Sequence, residues 1–264
     1  TQVNASVLTT LKTLDSLAPL PNPYAIKFIE HAWKLFPKAK QWVVFDTAFH
    51  ASMPEMNARY AITKSLGNPK FLQRYGFHGI VCSSIVSQLR KGRKLPDKFV
   101  ICHLGSGCSV TAVKQGKSWD TTMGFTPLEG LIMGTRAGDL DPGLVLFLVK
   151  KFGVQKVFDA LHFDSGLKAI AGTSNMRLVI EKAKKGSKKA QLAVTMFCVK
   201  AAKAIAASAI SLGGLEMIVF SGGIGENAPL IRAKICDLLK PLGVKIHFQK
   251  NQRAKACKYF HRFF

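Results

Sequence analysis

Two glycine-rich turns in this chain each follow an apolar run. The first turn is His103–Gly107, at the end of the run Phe99–Leu104, and the second is Gly222–Gly225, after Met217–Phe220. Glycine lets backbone N–H groups approach an anion closely, and the second turn leads into a helix, whose N-terminus favours negative charge. Tight turns after strands need glycine for structural reasons as well. Two such turns in one chain favour a phosphate-binding site without establishing one.

Three polar side chains near glycines could act on such an anion. Arg136 lies between two glycines, and a guanidinium offers a fixed fork of donors to phosphate or carboxylate oxygens; a surface ion pair with Asp139 is the alternative. His78 stands in a glycine-flanked aromatic loop, either as a catalytic donor or as a hydrogen-bonded packing residue. Asp46 ends an apolar run, where it could take part in chemistry or cap the turn that follows.

The elements that would position these groups alternate between strands and helices. Short apolar runs predict buried strands at Trp42–Phe45, Phe99–Leu104, Val110–Val113, Met217–Phe220 and Val244–Phe248. A hairpin turn predicted at Lys114–Lys117 returns the chain along Ser118–Thr122. Helical spacing predicts helices at Asn4–Leu17, Ile26–Phe36, Glu55–Ser65, Ile80–Arg90, Leu144–Phe152, Val154–Leu161, Met176–Lys185, Lys189–Leu212 and Pro229–Leu239. The pattern is that of an α/β fold, with Asp46 at the carboxyl end of a strand, where such folds place their chemistry.

Composition and charge narrow the classes of function. The chain has 264 residues, 48% hydrophobic and 20% charged, which suits one large or two small globular domains. Its formal net charge of +23 raises the question of nucleic-acid binding. The basic residues are spread along the chain, however, and follow no zinc-finger or RNA-recognition pattern. We therefore expect solvated basic surfaces and no specific nucleic-acid partner.

Cysteine spacing and hydropathy bear on the cellular setting. The six cysteines form no CxxC pair, which favours reduced thiols in a cytoplasmic protein. No signal-peptide pattern opens the sequence, and no uninterrupted apolar run approaches the length needed to span a bilayer. The sequence thus predicts no membrane association.

Several motifs, taken together and in order, resemble those of the acetate kinases. They are Phe45–His50, Arg74–Gly79, His103–Gly107, Met123–Leu131, Gly134–Gly143 and Gly223–Asn227. The resemblance runs from about Leu17 to about Val244. It implies an α/β fold of the actin-like and sugar-kinase (ribonuclease H-like) superfamily, with residues 1–46 as the tail of an N-terminal domain and residues 47–264 as an incomplete nucleotide-binding C-terminal domain.

The resemblance also implies roles for particular residues. Asp46, His78 and Arg136 match the catalytic positions. The ATP-binding positions are matched by His103, Leu104, Gly105, Ser106, Gly107, Asn175, Met176, Arg177, Gly223, Ile224, Gly225, Glu226 and Asn227. The implied reaction is reversible phosphoryl transfer from ATP to acetate, giving acetyl phosphate and ADP, with ATP/ADP and Mg²⁺ as cofactors and a homodimer as the assembly.

The sequence departs from the family pattern in ways that leave alternatives open. Ser106 stands where the family usually has Asn, and Asn175 where it usually has Asp. The family's opening phosphate loop, acetate-binding Arg and closing magnesium-binding Glu match nothing between Thr1 and Phe264, so we expect a fragment without a metal ligand by motif. The alternatives are a truncated, non-catalytic nucleotide-binding remnant, a propionate or butyrate kinase, and a nucleic-acid-binding protein.

Overall fold

A five-stranded mixed sheet organises the chain. The structure is a computed structural model that describes residues 1–14, 21–92, 95–254 and 261–262. The strands are β1 (Lys98–Leu104), β2 (Cys108–Lys114), β3 (Lys117–Thr121), β4 (Met217–Ser221) and β5 (His261–Arg262), in the spatial order β3-β2-β1-β4-β5. β1, β2 and β3 form an antiparallel meander, β4 lies parallel to β1, and β5 is antiparallel to β4.

Helices surround this sheet, so the predicted α/β class is confirmed. The α-helices are α1 (Ala5–Thr13), α2 (Pro21–Leu35), α3 (Glu55–Ala58), α4 (Gly79–Gly92), α5 (Pro142–Phe152), α6 (Val154–Asp159), α7 (Gly166–Ala171), α8 (Met176–Lys184), α9 (Lys188–Leu212), α10 (Gly222–Asn227), α11 (Pro229–Leu238) and α12 (Phe248–Arg253). Short 3-10 turns cover Ala48–Ser52, Lys64–Leu66 and Lys240–Leu242, and a π-helical segment covers Ala160–Asp164.

The sheet is buried on both faces, which explains the unbroken apolar runs of its central strands. Successive side chains of a strand point to opposite faces. In β1, Val100 and Cys102 belong to the core cluster shared with α9, while Phe99 and Ile101 belong to the cluster shared with α4. All four side chains are fully buried. β1 therefore has a fixed register, which fixes the direction in which the turn at its end points.

α9 is the core helix of the larger cluster. It is also the one helix in the described ranges long and apolar enough to cross a membrane, with a mean hydropathy of 1.6 over its apolar window. Half of that window is buried inside the fold, and Lys200 and Lys203 interrupt it. Core helices of soluble folds have this composition too, so α9 is only weak evidence for a membrane span.

The predicted strand at Trp42–Phe45 is wrong. Trp42 forms only an isolated antiparallel bridge with Gln2, and Trp42 and Val44 are 66% and 74% exposed. An apolar run becomes a buried strand only where neighbouring strands pair with it and a hydrophobic core packs against it. In the described part of the chain, Val43 exchanges backbone hydrogen bonds with Thr1, and the Phe45 carbonyl accepts the N–H of Ala48; neither contact is with the sheet. Asp46 therefore follows an extended segment and not a sheet strand.

Other element predictions fail locally. The predicted strand at Val244–Phe248 is wrong, because α12 begins at Phe248 and His247 caps it by accepting the N–H of Lys250. The predicted helix at Glu55–Ser65 shortens to α3 and one 3-10 turn. The predicted end of the first helix, at Leu17, lies outside the described residues.

Candidate functional site

Asp46 caps the N-terminus of α4. One carboxylate oxygen accepts the N–H of His78 at 2.7 Å and the other accepts the N–H of Ile80 at 3.1 Å, while the Asp46 carbonyl accepts the N–H of Gly79 at 2.9 Å. A side chain on Gly79 would place its Cβ 2.1 Å from that carbonyl oxygen, so this approach requires glycine. Asp46 thus sets the position of the His78 loop, in keeping with its capping alternative.

His78 is held in a strained conformation next to β2. Its φ of 61° lies in the left-handed region, which non-glycine residues adopt rarely and mostly where surrounding contacts impose it. Its Nδ1 lies 2.9 Å from Oγ of Ser109, and its ring centroid is 4.5 Å from that of His103. Burial, followed by the neighbouring His103, lowers the pKa of His78 to about 4. The imidazole is therefore neutral at pH 7.

His78 and Arg136 converge on the Cα of Gly107. A Cβ at residue 107 would lie 3.0 Å from Nη2 of Arg136 and 3.2 Å from Nε2 of His78. The other terminal nitrogen of Arg136, Nη1, donates to the Pro127 carbonyl at 2.8 Å, which anchors the guanidinium. Nη2 of Arg136 and Nε2 of His78 therefore lie near each other on the side of Gly107 where a side chain would project. An anion bound beside the glycine turn could accept from both.

The sequence-based alternative of an Arg136–Asp139 ion pair is wrong. Asp139 instead accepts the N–H of Gly130 at 2.7 Å, which closes the loop that carries Arg136. Burial lowers the pKa of Arg136 from its usual value, yet a guanidinium remains protonated in proteins. Arg136 is thus a cation oriented toward the glycine turn.

An ion pair that the sequence reasoning missed joins the two loops of the site. Arg74 Nη2 lies 2.6 Å from Glu129 Oε1, and Arg74 Nη1 donates to the carbonyl oxygens of Thr121 and Thr122. Tyr60 donates to the other Glu129 oxygen. Arg74 begins the His78 loop and Glu129 lies in the segment before Arg136, so this pair fixes the two loops relative to each other.

His103 is the last but one residue of β1 and lies beside this cluster. Its Nδ1 lies 3.1 Å from Oγ of Ser221, the last residue of β4. Burial lowers the pKa of His103, with smaller opposing effects from Glu226 and Asp46. Because β1 and β4 are parallel and pair His103 with Ser221, both glycine turns leave the sheet at the same edge. The glycine turns predicted from sequence are therefore brought together.

A cleft of about 900 Å³ opens between these turns and α8. Its lining includes eight of the predicted nucleotide-binding residues, which are Gly105, Ser106, Asn175, Met176, Arg177, Gly223, Ile224 and Asn227. The other five predicted residues do not line it, and these are His103, Leu104, Gly107, Gly225 and Glu226. Leu104 and Gly225 are buried beneath it, whereas His103 and Gly107 belong to the adjoining cluster around His78.

The two asparagines in the cleft have structural partners. Asn175 caps α8 by accepting the N–H of Arg177 at 3.0 Å, and Asn227 donates to the Gly223 carbonyl at 2.9 Å. The backbone N–H of Gly134 donates to the Ser106 carbonyl at 3.0 Å. That bond links the Arg136 loop to the wall of the cleft, so the cleft and the donor cluster form one continuous site.

Arg232 of α11 supports the second glycine turn from below. It is 4% exposed, and Nη1 donates to the carbonyls of Gly225 at 2.8 Å and Glu226 at 2.7 Å. Its Nε donates to Oδ1 of Asn251 in α12 at 2.8 Å, and Nη2 donates to the Asn251 carbonyl at 2.7 Å. Sequence reasoning missed this residue because a single Arg in an amphipathic helix resembles a solvated one.

Sequence reasoning also missed Ser109 and Ser221, which hold the two histidines, and several walls of the cleft. The missed walls are Ser174, Ile180, Glu181, Lys184, Ala228, Pro229, Leu230 and Gln252. Helical spacing from Met176 places Ile180 and Lys184 one and two turns further along the same face of α8, so that face could have been predicted. A search of the described residues finds no group of three or more His, Cys, Asp or Glu side chains arranged to hold a metal ion.

Comparison with known proteins gives a consistent relationship. The family model described as the Acetokinase family matches residues 1–260. The acetate kinase of Protochlamydia amoebophila is 44% identical over 255 residues, covering 95% of this chain and 64% of that protein. The acetate kinase of Sulfurovum sp. is 40% identical over 261 residues, covering 97% of this chain and 66% of that protein. The chain thus spans about two-thirds of the length of these relatives.

Solved structures show the same relationship. The acetate kinase of Entamoeba histolytica has a TM-score of 0.93 at 32% identity, covering 98% of this chain and 68% of that one. The propionate kinase of Francisella tularensis has a TM-score of 0.91 at 41% identity, covering 96% and 67%. This likeness confirms the predicted actin-like α/β fold. By sequence and by fold, the chain belongs to the acetokinase family.

Proposed function

We propose that the chain takes part in ATP-dependent phosphoryl transfer to acetate, giving acetyl phosphate and ADP in a reversible reaction. An oxygen of the acetate carboxylate forms the new bond to the γ-phosphorus, and the bond from that phosphorus to the β–γ bridging oxygen breaks, leaving ADP. The support from relatives is the set of acetate kinases that are 40–44% identical to this chain.

The observation that carries the proposal is the convergence of His78 and Arg136 on Gly107, at one end of the 900 Å³ cleft. Ligand pockets for small molecules have volumes of roughly 300 to 1,000 Å³, so the cleft has room for a nucleotide. Phosphoryl transfer depends mainly on positioning and on donors around the equatorial oxygens of the transferred group. Two nitrogens that lie close together beside the glycine turn can supply such donors.

The chain's own residues divide this work. Arg136 offers a cationic hydrogen-bond donor. Neutral His78 offers a second donor and does not have to transfer a proton in the reaction. Asp46 holds the His78 loop through two backbone N–H groups. Removing a single donor of this kind costs roughly 10²- to 10³-fold in rate.

Mg²⁺ fits the described residues poorly. Both oxygens of Asp46 already accept backbone N–H groups, and no cluster of three candidate ligands occurs in the part of the chain that the structure describes. Mg²⁺ in phosphoryl-transfer sites is commonly held by one or two carboxylates, substrate phosphates and water. We therefore derive no step through the metal from this chain.

The direct test incubates the purified 264-residue chain with ATP and acetate and traps acetyl phosphate with hydroxylamine. Product that is lost in His78→Asn and Arg136→Ala, and kept in the exposed control Gln155→Ala, supports the proposal. ATP binding measured by calorimetry without any product supports the second candidate, a nucleotide-binding remnant. If the chain neither binds ATP nor forms acetyl phosphate, both candidate functions are refuted.

A wider acyl specificity is favoured by one specific observation. The propionate kinase of Francisella tularensis is 41% identical to this chain with a TM-score of 0.91. We propose propionate or butyrate as alternative acceptors. The same assay with equal concentrations of acetate, propionate and butyrate ranks them, and a higher rate with propionate overturns the acetate assignment.

We propose that residues 1–46 and 47–264 belong to different domains. The support is that α1 and α2 pack on each other, joined by a Lys12–Glu30 ion pair at 2.8 Å, and contribute no strand to the described sheet. For the cellular setting we propose the cytoplasm. Its support is that the five described cysteines are all buried free thiols.

We further propose that the chain pairs with a second copy through α5. None of the side chains of α5 is buried, and Leu146 and Phe147 are 70% and 59% exposed. With Leu144, Phe152 and Val154 they expose on the order of 500 Å² of apolar surface, a large part of the roughly 800 Å² that each partner contributes to a stable interface. α5 has an acidic N-cap and a basic last turn, so antiparallel pairing of two copies would bring opposite charges together.

A further inference from the structure

Three histidines of this chain share one arrangement, in which a serine hydroxyl lies within hydrogen-bond distance of Nδ1. The pairs are His50 with Ser118 at 2.9 Å, His78 with Ser109 at 2.9 Å, and His103 with Ser221 at 3.1 Å. A neutral imidazole carries its proton on one nitrogen only, and the partner of the other nitrogen decides which one. The three pairs therefore determine three tautomers.

His50 provides an internal reference, because its tautomer follows from its other partner. Its Nε2 lies 3.0 Å from the carbonyl oxygen of Phe77, which can only accept. Burial lowers the pKa of His50, so the ring is neutral and its proton lies on Nε2. Nδ1 then accepts, and Ser118 donates. This arrangement shows that a serine in this position acts as the donor.

The same conclusion holds for His78 by a different argument. Ser109 is 1% exposed, and Nδ1 of His78 is the one hydrogen-bond partner of its hydroxyl among the residues described. Were Nδ1 to carry the proton and donate to Oγ, the buried hydroxyl proton would have no acceptor. An unsatisfied buried donor is costly enough to give roughly a ten-fold or larger preference for the alternative. Ser221, 7% exposed, stands in the same relation to His103.

We propose that Ser109 and Ser221 are positioning residues whose hydroxyls donate to Nδ1 of His78 and His103, so that each ring presents an Nε2–H donor to the phosphate groups. The part that concerns phosphates rests on the proposed function. His78 Nε2 and Arg136 Nη2 both approach the position of a Cβ on Gly107, so their two donors would meet the same anion. It follows that His78 acts as a hydrogen-bond donor and not as a proton acceptor at Nε2.

The test is histidine ¹⁵N NMR on the full chain at pH 7.5, with each ring assigned by its His→Gln variant. Chemical shifts and long-range couplings distinguish protonated from unprotonated ring nitrogens. We expect unprotonated Nδ1 in His50, His78 and His103 of the unaltered protein. Protonated Nδ1 in His78 or His103 overturns the inference, and this readout needs no turnover.

The same spectra compare two serine substitutions, one beside His78 and one beside His50. Ser109→Ala should give a mixed tautomer for His78 alone, whereas Ser118→Ala should leave His50 unchanged, because the Phe77 carbonyl still requires Nε2–H. Ser109→Thr keeps the hydroxyl and should restore the pattern. An unchanged His78 spectrum in Ser109→Ala overturns the role of Ser109.

Turnover separates this inference from the proposed function. If the chain makes acetyl phosphate, Ser109→Ala should lower kcat by roughly 10- to 100-fold with little change in KM for ATP, and Ser109→Thr should recover most of it. Expected tautomers without any turnover refute the proposed function and leave the positioning role intact. Turnover together with a protonated Nδ1 in His78 refutes the positioning role and leaves the proposed function intact.

Discussion

Replacing Asp46 by Ala tests whether this carboxylate acts by holding the His78 loop. The side chain accepts two backbone N–H groups, at 2.7 Å from His78 and 3.1 Å from Ile80. Loss of an N-cap costs about 1 kcal/mol, and leaving the partly buried His78 N–H without an acceptor costs about 1 to 3 kcal/mol more. We therefore expect the free energy of unfolding to fall by about 2 to 4 kcal/mol.

The matched control is Asp141→Ala. Asp141 also caps a helix, accepting the N–H of Leu144 at 2.8 Å, but on the exposed α5, away from the cleft. Its loss should cost about 1 kcal/mol. Asp46→Asn, which keeps one oxygen and the shape, should fall between the two. Urea unfolding with tryptophan fluorescence gives the three values.

Amide hydrogen exchange locates the effect. In Asp46→Ala we expect His78 and Ile80 to exchange faster than the drop in the global free energy of unfolding accounts for, whereas amides of β1 and β4 should speed up only by the factor that this drop predicts. ATP affinity should change little, since Asp46 does not line the cleft. Equal destabilisation by Asp46→Ala and Asp141→Ala, with unchanged exchange at His78, would refute the positioning role.

Four further outcomes are expected. Gly107→Ala should lower phosphoryl transfer by roughly 10²- to 10³-fold with a much smaller effect on the urea midpoint, because the added methyl would lie 3.0 Å from Nη2 of Arg136 and 3.2 Å from Nε2 of His78 and displace them, without left-handed strain. The pKa of His78 is about 4 in the folded chain against an ordinary 6.5, so the unfolded chain binds more protons between these values. Stability should be full above pH 6.5 and fall as pH drops toward 4, and His78→Asn should flatten that part of a urea–pH series. Leu146→Glu should convert a dimer into a monomer in analytical ultracentrifugation; a monomeric unaltered chain at micromolar concentration would contradict the pairing. Arg232→Met should cost about 3 kcal/mol or more and weaken ATP binding in calorimetry, since carbonyls of the second glycine turn lose their donor.

The parts of the fold that could be predicted from sequence are those with local signals. β1 and β4 are apolar runs that end in glycine turns, and the structure pairs them in parallel with both turns at one edge. The Asp141 cap and the length of α9 also follow from local chemistry, a capping side chain and helical spacing. Helices and strands can be predicted from sequence where one short segment contains its capping residue, its hydrophobic periodicity and its terminating residue.

What failed depends on partners far away in the chain. The Trp42–Phe45 run has the composition of a buried strand, yet burial requires strands on either side, and composition alone does not supply them. The closeness of His78, Arg136 and Gly107 was implied by the family resemblance and by no spacing rule. Ser109 has no signal at all, because a serine in a strand is ordinary until the ring opposite it is known.

Arg232 shows that a ligand site extends beyond the residues that face the ligand. A chain that stopped before Asn251 would still contain all thirteen predicted nucleotide-binding residues, yet two of the four hydrogen bonds of this guanidinium would be gone. The glycine turn would then rest on a side chain free to swing away. A shortened homologue that keeps the motifs but lacks α12 would therefore bind ATP less well than its motifs indicate, because α12 supplies Asn251, the partner of Arg232.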